Sequence, residues 1–220
     1  MKLKAHGING KILKWIKAWV SDRKQCDVLD GSQSHWSAVP SGVPQGSVLG
    51  PLLFVIYIND IDNAVDIISC FLQKFADDTN GLRKVDNLTD STKLQNDLDN
   101  LYKWSFDWQM LFNLDKCHTL HFGKTNPHYQ FHINNHPMLQ VDNEKDLGVM
   151  IDTTCTTSTQ VSPAALKGNQ VLGQLKRTFT YRDSTTFMNI YIQRVRPILE
   201  YSVQAWSPWL QSDIDFLENV

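Results

Sequence analysis

Between residues 10 and 20 the apolar positions Ile12, Leu13, Ile16, Trp19 and Val20 recur at helical spacing, with lysines on the opposite face. This pattern predicts an amphipathic helix. The period then shortens to two: "RKQCDVLDGSQSHWSAV" (23–39) alternates around Gly31-Ser32 and predicts a β-hairpin. Residues 39–50, "VPSGVPQGSVLG", hold three glycines and two prolines and predict a shaped loop. A continuous apolar run follows and predicts a buried helix over 51–62, with Pro51 in its first turn. Strands are expected over 67–76 and 80–85, flanking the acidic pair Asp77-Asp78.

From 88 to 110 the spacing of Leu94, Leu98, Leu101 and Trp104 or Trp108 predicts a long helix, capped by Thr89 or Asp90. "KCHTLHFG" (116–123) and "KDLGVMID" (145–152) read as strands, and Asn134-Asn135 as the turn of a hairpin between them. Residues 159–201 return to helical spacing, broken by Pro163 and Pro197. The expected fold class is α/β in the α+β sense, with a helical C-terminal third and a boundary near 155–160.

Composition changes this picture little. At 220 residues, 42% hydrophobic and 20% charged, the chain is long and apolar enough for a sizeable core. A net charge of −2 offers no global basic field, although a basic groove inside a neutral protein remains compatible with nucleic acid. Four scattered cysteines without a C-x-x-C, and no secretory leader, read as reduced thiols in an intracellular protein, nuclear or cytoplasmic. The longest apolar run, "VLGPLLFVIYI" (48–58), falls short of the roughly 20 residues that span a bilayer, so no membrane partner is expected.

Candidate chemistry centres on two segments. In the loop 41–54, glycines allow backbone to approach a ligand and prolines stiffen the path, with Gln45 held between Pro44 and Gly46. A ligand loop and a plain turn both fit. Adjacent strand residues point to opposite faces, so Asp77 and Asp78 converge only at a tight turn. There they suit a hard cation such as Mg²⁺; alone, the pair reads more simply as an acidic turn. His128, His132 and His136 have i, i+4, i+8 spacing, but Pro127, Asn134, Asn135 and Pro137 argue against a helical metal site. Cys117 and His121 fall on an alternating strand. Asp60 and Asp62, and Asp97 and Asp99, read as solvated helix positions, and Trp206 and Trp209 as packing residues.

Together, "SGVPQGSVLGPLLFVIYINDI" followed by "KFADDTNG" resembles the palm of the reverse transcriptases of non-LTR retrotransposons, the LINE and jockey-like elements. The likeness continues in order through "LQNDLDNLYKWSFDWQMLFNLDKCHTLHFG", the hairpin "KDLGVMID" and the helical "YIQRVRPILEYSVQAWSPW". It implies a polymerase palm with an antiparallel sheet over 1–157 and a truncated, mainly helical thumb over 158–220. It implies RNA-directed DNA synthesis with two Mg²⁺ ions, an RNA template, a DNA primer and deoxynucleoside triphosphates. By the same resemblance Asp77 is a metal ligand and Asp78 its acidic neighbour, with Phe75 and Ala76 preceding them. Pro44, Gln45 and Gly46 lie beside the incoming nucleotide and template base. Lys116 lies near the nucleotide phosphates as a candidate proton donor to pyrophosphate. Leu147 and Gly148 form the primer-grip turn. Lys167, Lys176, Arg177, Arg194 and Arg196, with Tyr181 and Tyr191, are candidate backbone contacts. Relatives carry a further metal-binding aspartate and fingers upstream of the segment where this chain begins. The chain alone is therefore expected to have little polymerase activity, pairing with an N-terminal part for synthesis. The alternatives are an inactive retroelement remnant and a domesticated nucleic-acid- or protein-binding module.

Overall fold

In the computed structural model, which describes residues 2–179 and 183–220, the chain forms helices and small two-stranded sheets, a mixed α/β fold. It divides into two compact units. The first, Met1–Lys84 with Thr92–Met110, begins with α1 (Lys2–Ala5) and α2 (Gly10–Val20). In α2 only Ile16 is buried. Strands β1 (Arg23–Gln25), β2 (Val28–Leu29), β3 (Ser32–Gln33) and β4 (Ser37–Val39) pair as nested hairpins, β1 with β4 and β2 with β3, both antiparallel. Their tip is Asp30-Gly31 rather than Gly31-Ser32. Both tip residues have positive φ (49° and 82°), the backbone an Asp-Gly two-residue turn adopts.

The apolar run forms α3 (Leu49–Ile58), continued by a 3₁₀ segment at Asn59–Ala64. This corrects the expectation of a buried helix at 51–62. Gly50 and Ile58 are buried, but Leu52 and Val55 are more than half exposed. A helix apolar all round has more hydrophobic surface than this unit covers. Strands β5 (Cys70–Phe75) and β6 (Asp78–Arg83) form an antiparallel hairpin in full register from Cys70↔Arg83 to Phe75↔Asp78.

Helix α4 (Leu88–Asp107) buries Leu101 and Trp104. Its start is fixed by Asn87, not by Thr89 or Asp90. The Asn87 side-chain oxygen accepts from the Asp90 N–H at 3.0 Å while the Asp90 carboxylate accepts from the Asp86 N–H at 3.3 Å. The first bond caps a helix-start donor, and the second ties the residue before the cap into the first turn. Asp97, expected on a solvated face, is 5% exposed. It faces Arg83, whose side chain is 3% exposed, and accepts the Asp66 N–H at 3.1 Å.

The second unit comprises Val85–Ser91 and Leu111–Val220. Strands β7 (His118–Thr119), β8 (His132–Ile133), β9 (His136–Pro137), β10 (Leu139–Gln140), β11 (Asn143–Asp146) and β12 (Val149–Asp152) precede a helical run. β8–β9 and β11–β12 are antiparallel hairpins, whereas β10 lies parallel to β7. Asn134 and Asn135 turn the first hairpin with φ of 50° and 60°, as their side chains favour.

Helix α5 (Ser158–Thr178) runs through Pro163 without a break. It loses one intrahelical bond there, but Gln160, Val161, Ala164, Ala165, Gly168 and Leu172 bury along it on both sides. Helices α6 (Ser184–Arg194), α7 (Arg196–Leu199), α8 (Val203–Trp206) and α9 (Gln211–Glu218) complete the unit. Val161, Ala164 and Trp206 form a core against Val149, Val203 and Leu217. Trp209, read as packing, is instead 69% exposed. The Tyr181 assignment lies outside the described residues.

Candidate metal centre and ligand loop

The β5–β6 register closes a two-residue turn, Ala76-Asp77, directly before Asp78. Ala76 takes φ +52° at the first turn position, where glycine is the usual solution. A Cβ in that region costs about 1 kcal/mol. Asp77 lies in the turn while Asp78 opens β6. Both are exposed, as is Phe75, which pairs across the hairpin with Asp78. No hydrogen bond or ion pair from a described residue engages either carboxylate. Oxygen donors unclaimed by protein cations suit a hard cation whose remaining positions are filled by water and phosphate. Among the described residues no group of three or more His, Cys, Asp or Glu is poised to hold a metal.

The opposite face of the hairpin is tied down. Lys74 pairs with Asp62 at 2.6 Å, and Arg83 with Asp97, the Ser69 hydroxyl and, at 3.6 Å, Asp66. Asp60 is likewise engaged rather than merely solvated. It accepts from Lys2 Nζ at 2.6 Å and from the Trp104 indole N–H at 3.0 Å. The Lys2 ammonium sits 3.6 Å from the Trp108 ring centroid, 4.7 Å from Tyr57 and 4.9 Å from Trp104. Cation–π attraction explains how its side chain can be only 10% exposed. Lys2, Arg83 and Asp97 are anchors that the sequence pattern did not mark. A basic residue two strand positions from an apolar run, or an acid on a helix stripe, was the only signal available.

The loop before α3 has its own scaffold. The Arg23 guanidinium donates to the carbonyls of Val20 (3.1 Å), Ser41 (3.1 Å) and Gly42 (2.5 Å), fixing the loop entrance. Ser47 Oγ donates to the Pro44 carbonyl at 2.6 Å and accepts the Gly50 N–H at 3.1 Å. A Cβ at Gly50 would lie 2.9 Å from that Oγ, so the cross-brace requires glycine. Held at both ends, the loop presents Gln45 and Gly46 to solvent, with Pro44 half-buried. No hydrogen bond or ion pair among the described residues joins this loop to the Asp77-Asp78 turn.

In the second unit Lys116 is exposed on a single 3₁₀ turn at Leu114–Lys116. Leu147 and Gly148 form the two-residue turn of β11–β12, with φ of 45° and 88°. The Tyr201 hydroxyl donates to the Leu147 carbonyl at 3.1 Å, and its ring would stand 2.9 Å from a Cβ at Gly148. Behind the turn, Gln160 accepts the Met150 N–H at 2.8 Å. A cleft of about 280 Å³ opens there, lined among others by Lys145, Gly148, Lys167 and Tyr201.

Asp152, 8% exposed, ends β12. Burial works to raise its pKa, but hydrogen bonds from the hydroxyls of Thr159, Thr154 and Thr156 and the Thr156 N–H outweigh it and hold the carboxyl far below its ordinary value. His132 and His136 lie on β8 and β9, so their helical spacing is not realised. His121 instead packs its ring 4.8 Å from that of His128. Burial, then His128, push its pKa down, against a hydrogen bond with Asn126.

Residues 1–163 match the family described as reverse transcriptase (RNA-dependent DNA polymerase). The chain is 26% identical over 201 residues, 87% of its length, to the RNA-directed DNA polymerase from mobile element jockey of Drosophila melanogaster. It is 26% identical over 209 residues, 90% of its length, to that of Drosophila funebris. It is also 27% identical over 222 residues, 93% of its length, to the probable RNA-directed DNA polymerase from transposon BS of Drosophila melanogaster. It spans 22% to 24% of the length of these curated relatives. No solved structure matches the chain.

Proposed function

The chain belongs to the reverse transcriptase (RNA-dependent DNA polymerase) family, and from that membership we propose that it is part of the polymerase domain of a jockey-like non-LTR retrotransposon. The observation that carries the reading is the tight turn at Ala76-Asp77 directly before Asp78, with neither carboxylate paired to a cation among the described residues, in a chain that also braces the Pro44-Gln45-Gly46 loop. Residues 1–157 form the palm and 158–220 a thumb. Asp77 and Asp78 would hold Mg²⁺, which when bound supplies charge neutralisation at the nucleotide phosphates.

Gln45 and Gly46, with Pro44, position the incoming nucleotide and template base, and Phe75 and Ala76 stand where relatives carry an aromatic and a small residue before the acidic pair. The primer 3′-hydroxyl attacks the α-phosphorus, losing its proton, and pyrophosphate leaves; the family resemblance makes Lys116 the candidate donor of a proton to it. The Leu147-Gly148 turn steadies the primer strand. The work is positioning and preorganised charge rather than covalent catalysis. The exposed apolar side of α3 suits packing against a further part of the polymerase, the partner this reading assigns it.

Primer extension on an RNA template by the full-length element protein tests the assignment. Asp77→Asn should cut Mg²⁺-dependent synthesis by at least about 10³-fold, a loss in the range of an electrostatic stabiliser. Undiminished synthesis by that variant would remove the metal role of the turn. Absence of synthesis by the unaltered protein, with RNA binding kept, would favour the non-catalytic binding module.

A further inference from the structure

Helix α2 carries Lys11, Lys14 and Lys17 and no acidic residue, and the first 21 residues contain five lysines and no carboxylate, in a chain whose net charge is −2. A merely solvated helix face usually mixes both signs, because i,i+4 pairs of opposite charge stabilise it. Here the three lysines are exposed and form no ion pair with a described residue. They make an i,i+3 row that rises roughly 9 Å along the helix. Beside that row runs an aromatic one. Trp15, 54% exposed, and Trp19 stack with centroids 6.0 Å apart and planes 8° from parallel. Ile16 alone is fully spent on the core, so the indoles form a rigid, open π-surface flanked by cations.

We propose that α2 is a contact platform for single-stranded nucleic acid, with a base stacking on Trp15, backed by Trp19, and phosphates lying along Lys11 and Lys14. Charge complementarity selects a polyanion, and the ring beside the lysine row selects one that also offers flat π-faces. Duplex hides those faces; an anionic membrane, which the same lysines with exposed Ile12 and Trp15 would also suit, is the competing outcome that the vesicle measurement decides. The inference deepens the polymerase reading by naming a strand contact outside the Asp turn and the Gln45 loop, and rests on it for RNA as the strand.

Fluorescence anisotropy with a labelled 12-nucleotide oligo(U), across 50 to 200 mM salt, tests it on the 220-residue chain. Trp15→Ala should weaken binding about tenfold with an unchanged salt slope, and Trp15→Phe should retain most of the affinity. Lys11→Ala with Lys14→Ala should weaken binding and lower the salt slope by about 1.4, the single-strand value for two phosphate contacts. Circular dichroism on each variant checks that these exposed substitutions leave the fold intact. Wild-type affinity in both the Trp15→Ala and the double-lysine variants overturns the platform. So does equal competition by duplex, or tighter Trp15-dependent binding to phosphatidylserine vesicles than to oligo(U). Oligonucleotide binding that depends on Trp15 while Asp77→Asn leaves synthesis untouched would sustain the platform and sink the metal assignment. The reverse pair of results would do the opposite.

Discussion

Replacing Asp97 by alanine would leave the Arg83 guanidinium, 3% exposed, without its best-buried counter-charge and strip the Asp66 N–H of its acceptor. Removing one partner of a buried ion pair costs about 3–5 kcal/mol, because the surviving charge stays desolvated. Two features of the structure pull the expected value toward the lower end. Asp66 already stands 3.6 Å from the guanidinium and is half exposed, and the Ser69 hydroxyl accepts from the same group. We therefore expect a loss of about 3 kcal/mol.

The site of the loss is informative, since Arg83 ends the strand that begins at Asp78. Hydrogen exchange of the β5–β6 amides should lose about two orders of magnitude in protection, and urea denaturation should show a lower midpoint at unchanged m. The companion variant Arg83→Met with Asp97→Leu removes both charges and should return to within about 1 kcal/mol of wild type. If Asp97→Ala unfolds at the wild-type midpoint, or if the paired variant is as unstable as the single one, Asp97 is not the anchor of the β5–β6 hairpin.

Asp152→Asn should cost about 2 kcal/mol at pH 7 by weakening its charge-assisted bonds from three threonine hydroxyls. The folded carboxyl titrates below the unfolded one. Wild-type stability is therefore full above the unfolded value near 4 and falls as pH drops through it, whereas urea midpoints of the variant should show a flatter acid limb. His121 has the opposite character, a cation kept neutral by burial. As pH falls through the unfolded value of about 6.5 the unfolded chain takes up the proton first, so stability should fall until the lowered folded pKa is passed. His121→Phe should reduce the difference between midpoints at pH 7.5 and 5.5; an unchanged difference would contradict the assignment. Gly148→Ala meets both a φ of +88° and the Tyr201 ring and should cost about 2 kcal/mol. Tyr201→Ala in the same chain should recover the steric part, seen as non-additive midpoints.

The elements legible in the sequence were those whose cause is local. The Asn134-Asn135 turn, the amphipathic α2 and the long α4 follow from side-chain period and from residues that tolerate positive φ, whereas 145–152, which reads as one strand by its residues, is a hairpin turned at Leu147-Gly148, with Leu147 at a φ of 45° that its side chain does not favour. Short errors had local causes too. The tip of the first hairpin moved by one residue because Asp-Gly suits its turn better than Gly-Ser, and the α4 cap moved to Asn87 because its side-chain oxygen accepts the Asp90 N–H. Pro163 was over-weighted as a breaker, since burial on either side of it decides that helix.

By itself, then, the sequence determined the identity of the family, because motif order and the chemistry of "SGVPQG" and "FADD" survive without any knowledge of contacts. It also placed a turn at the acidic pair between two strands, although the structure sets that turn at Ala76-Asp77, with Asp78 already on β6. Which charged side chains tie down the open end of the β5–β6 hairpin and the segments of the same unit was decided only in three dimensions. Lys2 reaches Asp60 across 58 residues and Arg83 reaches Asp97 across 14, and such pairs leave no periodic trace. The same holds for exposure. The apolar composition of α3 states that it is hydrophobic, but whether its outer side is covered depends on what packs there. Burial is a property of neighbours, and a single chain position does not encode its neighbours.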